Sequence, residues 1–200
     1  MDLFKEIYCA DCGEKTKIFF RTKMTDEKYV CSKCLRKIPH YIRQSVKDNY
    51  SFSEYIDLKD YIANTSRELK LQFCETHHFH SLHLDAIHRI FYFGFYYEDK
   101  NNVFFRLRNI NDIDLAFEPE TYKEGMLSYK EGKVKGDVRM KLKMNVPAFV
   151  YETTIASNVK AYAKETFFGS KVKYDNPKGM DEFIDAFRDA WEEDCDDYSE

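Results

Sequence analysis

Four cysteines near the amino terminus limit what this chain can fold into more than any other feature. Cys9-x2-Cys12 and Cys31-x2-Cys34 are two CxxC pairs, separated by the about 15–20 residues usual for a tetrathiolate metal site. Each CxxC turn sets two sulfurs on one side of the backbone, half of a tetrahedron. A hairpin between the pairs then brings the halves together. Gly13 follows the first pair and is free to take the positive φ of a tight knuckle. Lys17–Met24 reads as a strand, Thr25–Lys28 as a polar turn and Tyr29-Val30 as the start of a return strand. Ser32 reads as the cap of a short helix carrying Cys34, Leu35 and Ile38, which Pro39 ends, kinks or restarts.

A redox dithiol needs only one CxxC, beside a βαβ unit that the sequence does not contain. Four thiolates fill a tetrahedral coordination sphere and leave no place for a catalytic water. The cofactor expected at Cys9, Cys12, Cys31 and Cys34 is therefore one structural Zn2+ per chain. Knuckle, hairpin and second pair at a helix start follow the order of a treble-clef finger.

Beyond the cysteines the period of the apolar residues changes twice. Ser51 and Glu54 match a capping box, and Tyr55, Leu58, Ile62, Thr65 and Leu69 share one helical face, which predicts a helix over Phe52–Lys70. From Phe79 the period is two. Ser81–Asp85, Arg89–Tyr97, Val103–Arg108, Ile113–Glu118 and a long Val138–Tyr151 read as strands, with Pro147 a bulge, edge or break. Asn176-Pro177 then opens a helix with the stripe Phe183, Ile184, Phe187, Ala190 and Trp191. The expected organisation is a zinc ribbon over 1–48, a linking helix over 49–78, a β domain with its helix over 79–193, and an acidic tail over 194–200. The fold class is α+β, a curved antiparallel sheet or barrel plugged by a C-terminal helix, as in pleckstrin-homology-like domains.

Charge and side-chain chemistry narrow the function. A net charge of −4 offers no global basic field, but the first fifty residues are rich in Lys and Arg whereas Asp181–Glu200 is acidic. Lys15, Lys17, Arg21 and Lys23 form a candidate surface for a partner protein or a nucleic-acid backbone. Arg139, Lys141 and Lys143, preceded by Lys130, Lys133 and Lys135, form a second candidate surface for phosphate or an acidic partner, or else a solvated strand face. Five of the six histidines fall between His77 and His88, and Cys74, His77, His80 and His83 recur every third residue, a candidate second metal set. The HExxH pattern is missing, so most of these read as surface or partly packed polar residues. No nucleophile elbow, Walker loop or dinucleotide fingerprint is present, and Glu118 and Glu120 form an ordinary turn pair beside Pro119. The apolar run Ile90–Tyr97 is far shorter than the roughly 20 residues of a membrane-spanning helix, and Met1–Tyr8 does not resemble a signal peptide. The chain reads as soluble and cytoplasmic.

The chain resembles an uncharacterised bacterial family with a CxxCG…CxxC treble-clef ribbon, a short helix and a pleckstrin-homology-like domain. The resemblance rests on Cys9-x2-Cys12-Gly13, on Tyr29-Val30-Cys31-x2-Cys34 and on the helix from Ser51. It continues through Leu84-Asp85…Arg89-Ile90-Phe91-Tyr92 and the closing Phe183-Ile184-x2-Phe187. It implies zinc and the fold class but no activity. The reading is a non-enzymatic adaptor or regulator that binds another macromolecule, first of all a protein. The alternatives are a nucleic-acid-binding ribbon or a metal-dependent enzyme using the histidines. A Lys-, Asn-, Tyr- and Phe-rich composition fits an AT-rich bacterium or its phage, where antagonism of a host defence enzyme is one such role.

Overall fold

The computed structural model of the chain describes residues 6–94, 102–119, 133–145, 147–166, 169–174 and 178–196. Phe95–Tyr97, Glu120, Lys130, Asn176-Pro177 and residues 197–200 of the acidic tail lie outside the described residues.

Two short antiparallel ribbons begin the chain. Strand β1 (Ile7–Tyr8) pairs with β2 (Lys15–Thr16), and β3 (Arg21–Lys23) pairs with β4 (Tyr29–Cys31). The strand expected over Lys17–Met24 is interrupted by a 3-10 turn at Ile18–Phe20. Helix α1 (Ser32–Leu35) is capped by Cys31 rather than by Ser32, because the Cys31 sulfur accepts the Cys34 N–H at 3.4 Å. Pro39 takes the cap position of α2 (His40–Asn49), where its missing N–H costs nothing.

The capping box forms as its residues require. Ser51 Oγ accepts the Glu54 N–H at 3.3 Å, and Glu54 Oε2 accepts the Ser51 N–H at 2.7 Å. From there α3 (Phe52–Asp60) runs into a π-helical turn (Tyr61–Thr65) and on into α4 (Ser66–Gln72). The π turn inserts one residue into the helical register. Tyr55, Leu58, Tyr61, Ser66 and Leu69 are therefore buried, while Thr65, expected on that face, is exposed.

The remainder is two antiparallel four-stranded sheets and one helix, so the chain is α+β. The first sheet is the meander β5 (His77–Phe79), β6 (Leu82–Asp85), β7 (Ile90–Phe93) and β8 (Phe104–Arg106). The second is the meander β9 (Ile110–Pro119), β10 (Lys133–Asn145), β11 (Ala148–Thr166) and β12 (Gly169–Tyr174). The single strand expected over Val138–Tyr151 is thus two strands, and the chain reverses between Asn145 and Ala148. Pro147 cannot donate to a ladder, and it sits at that reversal. Along β10 the alternation holds: Val138, Met140, Leu142 and Met144 are buried, and Lys141 and Lys143 are exposed.

Helix α5 (Met180–Asp196) closes the structure by burying its apolar stripe. Phe187 meets Phe91 at 5.6 Å and Phe183 meets Phe79 at 6.1 Å between ring centroids. Trp191 Nε1 donates to Ile110 O at 3.1 Å, and the buried Asp194 accepts the Arg108 N–H at 2.8 Å. One continuous apolar core runs from Cys9 through Tyr55, Phe91 and Phe105 to Ala190, so the segments 1–48, 49–78 and 79–193 share it.

Asp85 organises the β6–β7 turn. Its fully buried carboxylate accepts N–H groups from Cys74 at 2.6 Å, Ile87 at 3.1 Å and His88 at 2.9 Å, and it meets His88 Nδ1 at 2.7 Å. Burial opposes ionisation here, but the N–H donors and the imidazole outweigh it and hold the carboxyl below its ordinary 3.8. A depressed carboxyl stabilises the fold above that value and loses the contribution as pH falls through the folded pKa. Asp85→Asn should cost about 1–3 kcal/mol, because an amide offers one acceptor oxygen where the carboxylate offers two. Denaturant titrations should show wild type losing its advantage over the variant below about pH 4. An equal advantage at pH 7 and pH 3 would contradict this account.

Candidate metal centre and its surroundings

The two ribbons and α1 deliver Cys9, Cys12, Cys31 and Cys34 to one point. Their four sulfurs lie within 4.8 Å of one another, the one such cluster of three or more His, Cys, Asp or Glu side chains among the described residues. Two sulfurs on one tetrahedral ion at the usual bond length stand about 3.8 Å apart. Cys12 Sγ and Cys31 Sγ are 3.8 Å apart, almost twice the about 2.05 Å of a disulfide. Gly13 has φ +73° and donates to Cys9 O at 2.8 Å, which closes the first knuckle.

Backbone donors prepare these sulfurs for negative charge. The Cys31 N–H points at Cys9 Sγ at 3.2 Å. Burial pushes the Cys9 thiol up, but N–H donors from Cys12, Cys31 and Asp11 win and bring it down to about 7. Cys34 moves the other way, raised by burial and then by the neighbouring Cys31 and Cys12 sulfurs. Four thiols this close cannot all ionise without a cation among them. Three of the cysteines are buried and only Cys12 is exposed.

Sequence reasoning missed the clamp that ties this centre to the helices. Asp11, inside the first knuckle, accepts from Tyr55 OH at 2.8 Å and pairs with Lys59 Nζ at 2.5 Å. Tyr55 and Lys59 lie one turn apart on α3, and an i, i+4 pair facing the knuckle was the available signal. The β3–β4 turn is tied to the same region. Thr25 donates to Tyr50 O at 3.0 Å, and Asp26 Oδ1 accepts the Phe52 N–H at 3.1 Å.

The other candidate residues scatter. His77 Nδ1 meets its neighbour Thr76, His80 occupies the β5–β6 turn with φ +52°, and Cys74 is exposed with its N–H on Asp85. The three-residue spacing of Cys74, His77, His80 and His83 therefore does not gather their side chains, because a helix end, a strand and a turn each point them differently. His83 instead stacks on Tyr92 at 4.5 Å, meets Glu75 at 2.5 Å and fills the space that a side chain at Gly94 would need. His78 shares Glu75 from the adjacent strand.

The cations divide in the same way. Lys15 pairs with Glu6, Lys23 with Glu27 at 2.9 Å, and Arg21 lies over the Tyr29 ring at 4.7 Å. Lys17 is exposed on the same edge. On β10, Arg139 pairs with Glu152 at 3.1 Å, and the register sets Lys141 between Asp114 and Glu152 and Lys143 beside Asp112. That face alternates in sign and is not a basic patch. Among the described residues no helix is long and apolar enough to cross a membrane.

Comparison of the chain with protein-family models, with curated proteins and with solved structures finds no match.

Lys59→Ala leaves the partly buried Asp11 carboxylate without its cation and should cost about 1–3 kcal/mol. Hydrogen exchange should quicken first in the Cys9–Gly13 knuckle and along α3. Exchange that quickens only at position 59 would show that the clamp does not hold the module.

Proposed function

We propose that the chain is a zinc-stapled adaptor that binds another protein through the tip of its cysteine module. Zinc suits the donor set, because an all-sulfur tetrahedral site selects zinc or iron–sulfur chemistry. Sulfurs within 4.8 Å of one another leave room for one ion rather than a multi-iron cluster. A knuckle, a hairpin and a second CxxC at a helix start support a treble-clef reading of the module. Two successive antiparallel meanders closed by a C-terminal helix support a pleckstrin-homology-like reading of the rest. With four protein ligands the ion has no open position, so its part is structural, worth on the order of 10–16 kcal/mol to the module at neutral pH.

One observation carries the partner-binding reading. The 3-10 turn that joins the two ribbons displays Phe19 at 93 % exposure, with Phe20 at 56 % and Ile18 at 41 %, and Tyr8 on β1 is 56 % exposed. Large apolar side chains left together in water mark an interaction site. These sit on a module held by an ion, so little ordering entropy is lost on docking. A protein partner fits better than nucleic acid, because Lys15 and Lys23 are already neutralised by carboxylates and Arg21 is stacked.

The purified chain should contain one zinc, and Cys12→Ser should release it and unfold residues 6–38. A photo-reactive phenylalanine analogue at position 19 should crosslink to a discrete protein in a lysate, and adding Phe20→Ser and Tyr8→Ser should abolish the adduct. Both substitutions are exposed and should change stability by no more than about 0.5 kcal/mol. An adduct sensitive to nuclease rather than protease would favour the nucleic-acid alternative, and no adduct would refute docking through the tip.

A further inference from the structure

The π-helical turn stands beside a cavity that the metal centre does not use. A π turn weakens the helical ladder, and such turns recur at functional sites. Here it is held in place from both sides. Tyr61 OH donates to Phe104 O at 3.1 Å, and Ser66 Oγ accepts the Phe104 N–H at 2.9 Å. The cavity is about 500 Å3, within the about 300–1,000 Å3 usual for small-molecule sites. Ile62 and Ala63 line it from the π turn, Arg67 and Lys70 from the next turns of the same helix face, and Lys37 with Pro39 from the segment just beyond Cys34.

Its described lining carries charge of one sign. Among the described residues three cations and no carboxylate line it, and Lys37, Arg67 and Lys70 make no ion pair or side-chain hydrogen bond there. Lys15, Lys23, Lys28, Lys33, Lys59 and Arg139 each have a carboxylate within 4.0 Å, and what sets Lys37, Arg67 and Lys70 apart is that all three line one concavity. Like charges gathered on one concavity repel one another and focus a positive potential into it, and an anion relieves both. The planar Arg67 fork and two ammonium groups suit phosphate oxygens. The apolar wall of Pro39 and Ile62, with Leu71 left 85 % exposed at its edge, adds a surface for a flat, uncharged moiety. Asn102 supplies an amide that can both donate and accept.

We propose that this cleft binds a small phosphorylated molecule of the nucleotide class, its phosphates on Lys37, Arg67 and Lys70 and its base or sugar against Pro39, Ile62 and Leu71. Three cations on one concavity favour the concentrated charge of a phosphate over carboxylates spaced along an extended acidic peptide. Binding here needs none of the residues at the module's tip, so Phe19→Ser should leave it intact.

The test is titration of the full, metal-loaded chain with a fluorescent ADP analogue, with inorganic pyrophosphate as competitor. Saturable binding should be displaced by pyrophosphate and weakened about tenfold or more by Arg67→Glu with Lys70→Glu, through lost charge-assisted hydrogen bonds. Lys141→Glu with Lys143→Glu makes the same charge change on another face and should leave affinity unaltered. Backbone amide shifts on adding pyrophosphate should map to Lys37–Pro39 and Ile62–Leu71, a readout that holds even if the charge-reversed variant does not fold. No saturable binding, an equal loss in both double variants, or shifts elsewhere would overturn the assignment. Stronger displacement by a hexaglutamate peptide than by pyrophosphate would overturn the ligand class.

Discussion

The convergence of four sulfurs on one point is the constraint from which the amino-terminal third takes its shape. Two-stranded ribbons as short as β1–β2 and β3–β4 do not persist in water alone. Their own apolar content is small: Met24, Val30, Leu35 and Ile38 besides the cysteines themselves. An ion joining Cys9 and Cys12 to Cys31 and Cys34 would supply what that core cannot, and the N–H donors around Cys9 show a backbone already arranged for negative sulfur.

The helix from Phe52 to Gln72 carries that order into the rest of the molecule. At one end Tyr55 and Lys59 hold Asp11, and at the other Tyr61 and Ser66 hold the backbone of β8. These two sets of contacts do not lie on one straight stripe of period 3.6, and the π turn absorbs the mismatch. The cavity lined by Arg67 and Lys70 adjoins that turn through Ile62 and Ala63.

The two surfaces singled out are chemically opposite. At the module's tip the cations are mostly neutralised and the aromatic side chains are bare, which suits an apolar groove on a protein. Beside the π turn three cations without a carboxylate partner among the described residues share one concavity and the apolar wall is modest, which suits a phosphorylated small molecule. Both are mounted on elements that pack into the continuous core running from the cysteine cluster to the aromatic side chains, so each can present its chemistry with little further ordering.

Local chemistry made several features legible in the sequence. The CxxC spacing, Gly13, the Ser51–Glu54 capping box, the alternation of Val138 to Met144 and the stripe of α5 each depend on residues a few positions apart. What lies between distant segments was not legible. Nothing local to Thr65 says that Phe104 will claim Tyr61 and Ser66 and shift the register. Nothing near Cys74, His77, His80 and His83 says that their backbone changes direction between each pair, or that Glu75 will take His78 and His83 instead. Pairing strengths in a sheet and contacts across a core are set by partners dozens of residues away. The amino-acid order therefore determined which side chains are able to bind a metal or an anion, and the tertiary packing alone decided which of them meet.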